Sequence, residues 1–518
     1  MNIPLDTLEG RSFDVAVIGA GVVGGGAVQH LTAAGYNVLL VDKGDFASGS
    51  SSRSSRLLHC GLRYLAPGKS MWEFILHPTR FMTALRMARQ AMECRAQFAR
   101  MTPERVRQLT FCFPMYKGGP YAPWQVDAAF HILKALGPKD VPLDYKRITP
   151  DQVRDTPLLE YLRDPDQLIG AAQFREYQFE WPERIVMDAV LHAEQAGATV
   201  RNYTEAARLE QNPDKSWQIL LRDAHKPDAT AKVSAKIVLN MAGIWIDDVN
   251  AKAQKPVSRK ITGTKGVHIM VQLPPHCRDH GIATLNRLRE GFYCVPWRGM
   301  HYFGPTETLY EGNIDDIRPE DEDIDFLLGE ANHLLPKLKL KRSDVLFSWA
   351  GVRPLTYDPA LPMGNRSREL HDLASEGLEN AFAMTAGPIM THRNAGQEVV
   401  ETVRRKIQPS RAPRPIDYSA RLPPDNQNSP PLLDDYPAIK MSDLRFSAEN
   451  EHVSGLVDLL FRRVGAGWTA GMSARQAEAA AMHVADLMGW DEARAREEAA
   501  RYRDHLARQH RIRPQAAE

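Results

Sequence analysis

Residues 13–64 read FDVAVIGAGVVGGGAVQHLTAAGYNVLLVDKGDFASGSSSRSSRLLHCGLRY, and this stretch decides the fold. Its apolar opening, residues 15–18, predicts a buried parallel strand. Gly19, Gly21 and Gly24 follow with the spacing GxGxxG. In that motif the first glycine permits a tight turn, the second lets a phosphate approach the backbone, and the third lets the next helix pack against the strand. The pattern therefore predicts the start of a dinucleotide-binding unit.

An acid ends the next predicted strand. Residues 27–34 predict a helix and residues 38–41 predict a second strand, which ends at Asp42, eighteen residues after Gly24. A carboxylate at this position binds the hydroxyl pair of a ribose and disfavours the 2′-phosphate of NADP. FAD and NAD both stay open at this point.

A polar loop, residues 49–56, follows and reads GSSSRSSR. An NAD enzyme does not need such a loop, whereas a buried flavin needs hydrogen-bond donors along its length. The apolar Leu57, Leu58 and Leu62 come next and connect the loop to a core. The loop therefore favours FAD. Its candidate cofactor-binding residues are Ser51, Ser52, Ser54 and Ser55.

The composition is that of an ordinary soluble globular protein, since 43% of the 518 residues are hydrophobic and 25% are charged. This length allows two or three domains. A net charge of +1 gives no case for nucleic acid as a partner. Five cysteines without a CxxC pair fit a reducing compartment, and no metal-ligand cluster is visible. Without a secretory segment or an apolar run of about eighteen residues, we predict a cytoplasmic protein.

One stretch leaves a membrane contact open. Residues 71–92 combine apolar side chains such as Trp72 and Phe81 with several arginines. A stripe of this kind either packs in the core or lies on a bilayer, and Pro78 interrupts it. A peripheral position on the inner face of the cell membrane therefore stays open, as does a homo-oligomer.

Residues 49–65, GSSSRSSRLLHCGLRYL, closely resemble the segment TSSRSSKLIHGGLRYL of the FAD-dependent glycerol-3-phosphate dehydrogenases. The likeness continues along the chain. NMAGIW (240–245), KGVHI (265–269), AGVRPL (350–355) and AGPIMTHR (386–393) resemble the NATGPW, KGSHI, SGVRPL and GGKLTTYR of that family.

The resemblance implies an α/β fold in which a Rossmann-like FAD-binding domain joins a β-rich substrate domain and a C-terminal helical cap. We expect residues 1–407 to form the oxidoreductase region, residues 408–436 a linker, and residues 437–518 the helical domain. Within the first region, the discontinuous FAD-binding domain takes about 1–65, 184–250 and 350–407, and the interleaved substrate domain takes about 66–183 and 251–349.

Hydrophobic periodicity predicts further elements between and beyond these motifs. Strand alternation marks residues 199–209, 267–271 and 300–303. Helical spacing marks residues 452–463 and 473–488, and a last helix runs to about residue 510 from Asp491, a plausible N-terminal cap.

The resemblance implies an FAD-dependent dehydrogenase. It would oxidise sn-glycerol 3-phosphate, or a closely related polyol phosphate, to a keto product such as dihydroxyacetone phosphate by hydride transfer to flavin N5. Electrons would pass to a quinone or another acceptor. Two alternatives stay open. One is a flavin oxidase or dehydrogenase of a hydroxy acid or an amine in the same fold, and the other is a non-catalytic nucleotide-binding protein.

Oxidation of a phosphorylated alcohol needs a base and cations. His59 and His268 are the predicted bases, because imidazole transfers protons near neutral pH, and His392 is a third candidate. Arg353 lies in a constrained Gly-Val-Arg-Pro segment, so we predict that its guanidinium is fixed at the reacting substrate. The predicted substrate ligands are Arg63, Tyr64, Lys265, Arg353 and Arg393.

The FAD contacts expected from the motifs and the resemblance, beside the serines, are Gly19, Gly21, Gly24, Asp42, Ala242, Gly243, Gly387 and Thr391. The residues that depart from the family pattern include Cys60, Glu183, Glu307 and Pro388. Pro388 stands where the family has a lysine that would bind phosphate or substrate, and proline offers neither a charge nor an N–H. Another cation must therefore compensate, or the substrate differs from glycerol 3-phosphate.

Overall fold

The computed structural model describes residues 3–65 and 78–512, which fold around two β-sheets. The strands are β1 (Ser12–Ile18), β2 (Val38–Val41), β3 (Leu57–Leu58), β4 (Val106–Tyr116), β5 (Lys146–Ile148), β6 (Leu168–Phe179), β7 (Thr199–Arg201), β8 (Thr204–Gln211), β9 (Trp217–Asp223), β10 (Thr230–Asn240), β11 (Ile261–Val271), β12 (His280–Leu285), β13 (Gly291–Trp297), β14 (Met300–Gly304), β15 (Thr308–Leu309), β16 (Val345–Thr356), β17 (Glu369–Asp372) and β18 (Ala381–Thr385). The α-helices are α1 (Val22–Ala33), α2 (Leu62–Leu65), α3 (Pro78–Met101), α4 (Pro123–Leu136), α5 (Pro150–Arg154), α6 (Pro182–Gln195), α7 (Ile246–Asn250), α8 (Asp321–Leu334), α9 (His392–Arg404), α10 (Met441–Asn450), α11 (Ala477–Met488) and α12 (Glu492–His510). A π-helix, Asp458–Arg463, lies between α10 and α11.

The first sheet carries the dinucleotide motif. Its strand order is β17-β18-β10-β1-β2-β7, and the antiparallel hairpin of β8 and β9 is attached to β10. β1 pairs in parallel with both β2 and β10, so that Val17 lies between Leu40 and Leu239. The strands predicted at 15–18 and 38–41 are confirmed, and burial on both faces explains their continuous apolar runs.

Glycines let α1 pack closely. A Cβ at Gly24 would lie 1.8 Å from the carbonyl oxygen of Gly19, and a Cβ at Gly26 would lie 2.6 Å from that of His392. Small residues at these positions therefore let α1 approach both its own strand turn and α9. The helix begins earlier than the predicted residue 27, because the glycine run itself is helical.

The second sheet has the order β15-β11-β14-β13-β12-β4-β6-β3, with β16 paired to β11 and β5 paired to β6. β11 and β16 are antiparallel, and their register sets His268 opposite Trp349 and Thr264 opposite Arg353. The strands predicted at 267–271 and 300–303 are confirmed within β11 and β14. The chain therefore has the predicted α/β fold, with a Rossmann-like sheet, a β-rich second part and C-terminal helices. The domain boundaries stay a prediction.

Several local predictions are wrong because single residues adopt the left-handed conformation, which interrupts regular structure. The strand expected at 199–209 is split into β7 and β8 around Tyr203, whose φ is 49°. His452, with a φ of 53°, precedes the π-helix, so the helix expected from residue 452 starts later. Ser473, with a φ of 54°, likewise lies outside α11. The cap at Asp491 is confirmed, since its carboxylate accepts a hydrogen bond from Arg494 N–H at 2.8 Å.

Buried ion pairs connect the C-terminal helices to the first sheet. Asp45, three residues after Asp42, has a fully buried side chain and forms two ion pairs. Its Oδ1 lies 2.7 Å from Arg463 Nη2, and its Oδ2 lies 2.5 Å from Arg462 Nε. Burial alone would raise the pKa of Asp45, but Arg463 and Arg462 hold it well below its usual range. The π-helix therefore fixes the loop that follows β2.

The stretch at 71–92, which left a membrane contact open, lies partly outside the described residues. The described part belongs to α3, where Ala88, Ala91 and Met92 are buried and Met82 is exposed. No helix among residues 3–65 and 78–512 combines the length and the apolar character that a bilayer crossing requires.

Candidate functional site

A cavity of about 1140 Å³ lies between the two sheets. It exceeds the roughly 300–1,000 Å³ of an ordinary small-molecule site. Its walls come from the carboxyl ends of β1, β2, β10 and β18, from the polar loop, and from β11 and β16. Because ligands of open α/β sheets bind at the carboxyl ends of the strands, the cavity lies where a dinucleotide is expected.

Asp42 lies at one end of this cavity. Its Oδ2 accepts a hydrogen bond from Ala20 N–H at 2.6 Å, and its Oδ1 accepts one from Gly44 N–H at 2.8 Å. Burial raises the pKa of the Asp42 carboxyl to about 6, although the two N–H donors act in the opposite direction. A buried carboxylate that faces a cavity suits the hydroxyl pair of a ribose, because those hydroxyls can donate to it.

The glycine motif forms the adjacent wall. Gly19 has a φ of 102°, and a Cβ there would lie 2.7 Å from the carbonyl oxygen of Met241. Only glycine therefore lets the turns after β1 and β10 meet. Gly19 and Gly21 line the cavity, whereas Gly24 packs behind them. Gly24 was predicted to contact the cofactor, but in the structure it packs against the Gly19 turn and does not line the cavity.

The polar loop lies along the same wall. Ser51 Oγ accepts a hydrogen bond from Val22 N–H at 2.9 Å, which places this hydroxyl at the N-terminus of α1. The Ser52 hydroxyl turns back to the Gly49 carbonyl at 3.1 Å, so the contact expected of Ser52 is corrected. The serines of this loop that line the cavity are Ser50, Ser51, Ser54 and Ser55, and Ser48 before the loop lines it as well.

Two further strand ends reach the cavity. Ala242 and Gly243 follow β10, Gly387 follows β18, and all three line the wall. Thr391 does not line the cavity, and its hydroxyl donates to the Pro388 carbonyl at 2.9 Å, so a cofactor contact of Thr391 stays a prediction. Pro388 itself lines the cavity, in the position where the family resemblance expects a lysine.

Both predicted bases, His59 and His268, line the cavity. Burial lowers the pKa of His59 to about 3, and Arg63 adds to the effect. Burial also lowers the pKa of His268 well below its ordinary value, with Arg353 and Arg56 acting in the same direction. Both imidazoles are therefore neutral near pH 7, which is the form that accepts a proton. Within the part of the chain that the structure describes, His59 Nδ1 and both nitrogens of His268 have no hydrogen-bond partner.

Five arginines line the cavity, and three of them, Arg63, Arg353 and Arg366, form one cluster at the histidines. Arg353 Nη2 donates to the Thr306 carbonyl at 3.4 Å, while its buried Nη1 has no partner among the described residues. Burial lowers the pKa of Arg353 to about 10, and the two other arginines reinforce this against the carboxylate of Glu307. Arg366 forms an ion pair with Glu307. Three cations with one neighbouring carboxylate suit an anionic ligand.

Tyr64, a predicted substrate ligand, also lines the cavity. Its ring stands edge-on to that of His59, with 5.6 Å between the ring centroids. Burial raises the pKa of the Tyr64 hydroxyl, so this group stays protonated and can donate a hydrogen bond.

Lys265 points away from the cavity. Its Nζ lies 2.9 Å from Glu320 and 2.7 Å from Asp323. Alternate residues of a strand face opposite sides of the sheet, and Gly266 and His268 occupy the cavity side of β11. The substrate contact expected of Lys265 is therefore corrected.

Two residues at the start of α9 also lie behind the wall. Arg393 Nη2 donates to Thr102 Oγ1 at 3.1 Å, and its guanidinium lies 4.2 Å from the ring centroid of Tyr418. His392 donates through Nδ1 to the Ile389 carbonyl at 3.1 Å. The roles expected of Arg393 as a ligand and of His392 as a base are therefore corrected.

Arg366 and Arg56 are the residues that the sequence did not single out. Arg366 lies in an irregular loop after β16 and carries no motif or periodicity that could reveal it. Arg56 lies in the polar loop, 3.3 Å from Glu183 and between the rings of Trp297 and Trp468, at 4.1 and 4.2 Å. The departure at Glu183 is therefore explained, because this carboxylate neutralises a buried cation at the cavity wall.

The residues present fit FAD. The cavity offers a buried carboxylate for a ribose at one end and a glycine gap at the N-terminus of α1, which favours a pyrophosphate. Beyond the pyrophosphate position it continues between the two sheets to the histidines and arginines. A smaller nucleotide would leave the part of the cavity beside these histidines and arginines empty.

Comparison with known proteins supports an FAD-dependent enzyme. The model of the family described as FAD dependent oxidoreductase matches residues 14–402. The glycerol-3-phosphate dehydrogenase of Synechocystis is 30% identical over 424 residues, which are 79% of this chain and 73% of that protein. The aerobic glycerol-3-phosphate dehydrogenase of Staphylococcus saprophyticus is 27% identical over 404 residues, which are 77% of this chain and 68% of that protein.

Solved structures share the fold. The glycerol-3-phosphate dehydrogenase of Bacillus halodurans, complexed with FAD, superimposes with a TM-score of 0.73 at 19% identity and covers 98% of this chain and 96% of its own. The L-α-glycerophosphate oxidase of Mycoplasma pneumoniae, with FAD bound, gives 0.60 at 15% identity and covers 80% of this chain and 99% of its own.

Proposed function

The chain belongs to the FAD-dependent oxidoreductases as a glycerol-3-phosphate dehydrogenase-like member, and on that premise we propose that it oxidises sn-glycerol 3-phosphate, or a closely related polyol phosphate, to the keto product, dihydroxyacetone phosphate. The observation that carries the proposal is the set of three cavity arginines beside two neutral histidines. Arg63, Arg353 and Arg366 contribute three positive charges and Glu307 one negative charge, which leaves +2 for a phosphate dianion.

The arginines bind the phosphate and thereby orient the carbinol. Arg353 is the strongest candidate, because its buried Nη1 has no partner among the described residues and can donate to a phosphate oxygen. Arg366 lies in the same cluster and takes the part expected of the lysine that Pro388 replaces. A phosphate held at one end fixes the distance of the carbinol carbon from the cofactor.

A histidine takes the hydroxyl proton. His268 and His59 are both neutral near pH 7, and each has a ring nitrogen without a partner among the described residues, so either imidazole is in the form that accepts a proton. FAD, when bound, supplies the acceptor for the carbinol hydrogen and its electron pair. With the hydroxyl proton on the histidine, departure of the carbinol hydrogen with its electron pair would leave the ketone.

We propose a quinone as the final electron acceptor. Support comes from the curated relatives, which are dehydrogenases, and from the apolar side chains that α3 and α4 expose, Met82 at 60% and Trp124 at 64%. Such side chains suit contact with the bilayer that holds a quinone.

A substrate screen tests the proposal. The purified flavoprotein is mixed without oxygen with glycerol 3-phosphate, tetritol phosphates, hydroxy acids or amines, and bleaching of the visible flavin band is followed. We expect bleaching by glycerol 3-phosphate or a related polyol phosphate, followed by reoxidation on addition of a soluble quinone analogue. Bleaching by a hydroxy acid or an amine alone, with peroxide formed in air, would instead establish the oxidase alternative.

A further inference from the structure

A third segment lines the cavity beside Asp42. Residues 310–319, here called the strap, connect β15 to α8, and Ile314 and Asp315 of the strap line the cavity. Asp315 Oδ1 accepts hydrogen bonds from Lys43 Nζ at 2.7 Å and from Trp245 Nε1 at 2.8 Å. Lys43 Nζ also lies 4.8 Å from the ring centroid of Trp245.

These two donors follow the ends of two different strands, β2 and β10, which lie on either side of β1. Lys43 follows Asp42 at the end of β2, and Trp245 follows the Ala242–Gly243 turn at the end of β10. A single carboxylate oxygen from a third segment therefore binds both side chains and holds the contact between them. Because Lys43, Trp245 and Asp315 all line the cavity, the bridge crosses the end where the adenosine of FAD is expected.

The adjoining part of the strap is held in place. The Ile317 carbonyl accepts a hydrogen bond from Arg53 Nη1 at 3.1 Å, and Ile317 itself is buried. Asp316 Oδ1 accepts hydrogen bonds from Gln509 at 3.2 Å and Arg508 at 3.4 Å, both on α12. The polar loop and the last helix thus anchor the residues next to Asp315 and limit the directions in which it can move.

We propose that Asp315 is a cofactor-retaining residue, and that FAD enters and leaves at this end of the cavity when Asp315 releases Lys43 and Trp245. The contact then sets the rate of FAD dissociation. The side chains of Lys43 and Asp315 are 45% and 61% exposed, so salt weakens their attraction and speeds release. The inference requires the FAD site alone and does not depend on which substrate is oxidised.

The test measures FAD release from the holoenzyme by the rise in flavin fluorescence after dilution. We expect Asp315→Ala to raise the release rate roughly tenfold, because it removes two hydrogen bonds that involve a charged group. Asp315→Asn keeps an acceptor for Trp245 and removes the ion pair, so a rise of about two- to threefold and a loss of salt dependence are expected. Glu311→Gln makes the same charge change on an exposed strap residue outside the cavity lining and serves as the matched control.

Trp245→Phe tests the hydrogen bond between Trp245 and Asp315 from the donor side. It removes the indole N–H and keeps an aromatic ring, so it should speed release in the wild type and add little in the Asp315→Ala background. Wild-type release rates in both Asp315 variants would overturn the proposal. So would an equal acceleration by Glu311→Gln, because the effect would then come from net charge and not from the bridge.

Discussion

The imidazole of His268 lies parallel to the indole of Trp349, with the ring centroids 4.8 Å apart and an angle of 10° between the planes. Stacking fixes the ring through its face and leaves both nitrogens at the edge, where neither has a partner among the described residues. The group is thus held without a hydrogen bond that would commit either nitrogen. A proton acceptor at the cavity wall needs this combination of fixed position and free lone pair.

We expect His268→Gln to lower kcat by roughly 10²- to 10⁴-fold, the usual contribution of a general base. Because the pKa of His268 is held well below 6.5, protonation of this histidine should not lower kcat as the pH drops through 6.5. The pH profile of kcat at saturating substrate, between pH 5.5 and 8, checks this and leaves aside the titration of the free phosphate near pH 6. His59→Gln is the matched variant, and a large loss confined to it would assign the base to His59 instead.

FAD affinity should depend on the ionisation of Asp42. The pKa of this carboxyl is about 6, and ribose hydroxyls donate to the charged form, so affinity should be full above pH 6 and decline as the pH falls below it. Asp42→Ala should weaken binding about 10- to 100-fold through loss of charged hydrogen bonds. Asp42→Asn should remove the pH dependence. Titration of the FAD-free protein with FAD at pH 5 and 7.5 measures both effects, and a pH-independent wild type would contradict the assignment.

Arg353→Ala should raise KM for the anionic substrate and lower kcat/KM by about 3 kcal/mol, or roughly 150-fold, because a buried charged contact is lost. Lys265→Gln is the control, since Lys265 pairs with Glu320 and Asp323 behind the wall. Steady-state kinetics should leave that control near the wild type. Equal losses in both variants would mean that overall charge, and not the cavity position, governs binding.

If Arg366 replaces the family's lysine, its loss should be repairable. Arg366→Ala should lower kcat/KM roughly 10- to 100-fold, as expected for one charged hydrogen bond. Pro388→Lys in that background returns a cation to the cavity wall and should recover part of the activity. Initial rates of the single and double variants test this. A double variant no better than Arg366→Ala would show that Pro388 does not face the substrate anion.

Acid should destabilise the fold. The pKa of His59, His392 and His505 is about 3 and that of His301 about 4, because each is buried. Between pH 6.5 and 4 these histidines are protonated in the unfolded chain but stay neutral in the native protein. Each of them therefore lowers the free energy of unfolding by about 1.4 kcal/mol for every pH unit of acidification. Asp42 has the opposite effect, because its raised pKa lets the native protein bind one proton that the unfolded chain does not yet bind. We expect Tm to fall steeply below pH 6.5, and His301→Gln to reduce the slope by about one proton.

The nucleotide half was predictable from the sequence because its determinants are local. The glycine spacing and Asp42 fall within one strand–helix–strand unit, and each depends on residues nearby in the chain. The substrate half depends on distant pairings. Arg366 pairs with Glu307, 59 residues away, and nothing next to Arg366 signals that contact. The prediction that Lys265 binds the substrate was avoidable. Lys265 and His268 are three residues apart on β11, so strand alternation places their side chains on opposite faces of the sheet.

The ion pairs between Asp45 and the π-helix have a consequence for biosynthesis. Asp45 is separated from its two arginines by 417 and 418 residues. At roughly 5–20 residues per second, a ribosome completes this distance in about 20–80 seconds. Throughout that interval the loop after Asp42 lacks the cations that let it bury its own acid. A tight FAD complex is therefore expected only after residues 462 and 463 have been synthesised.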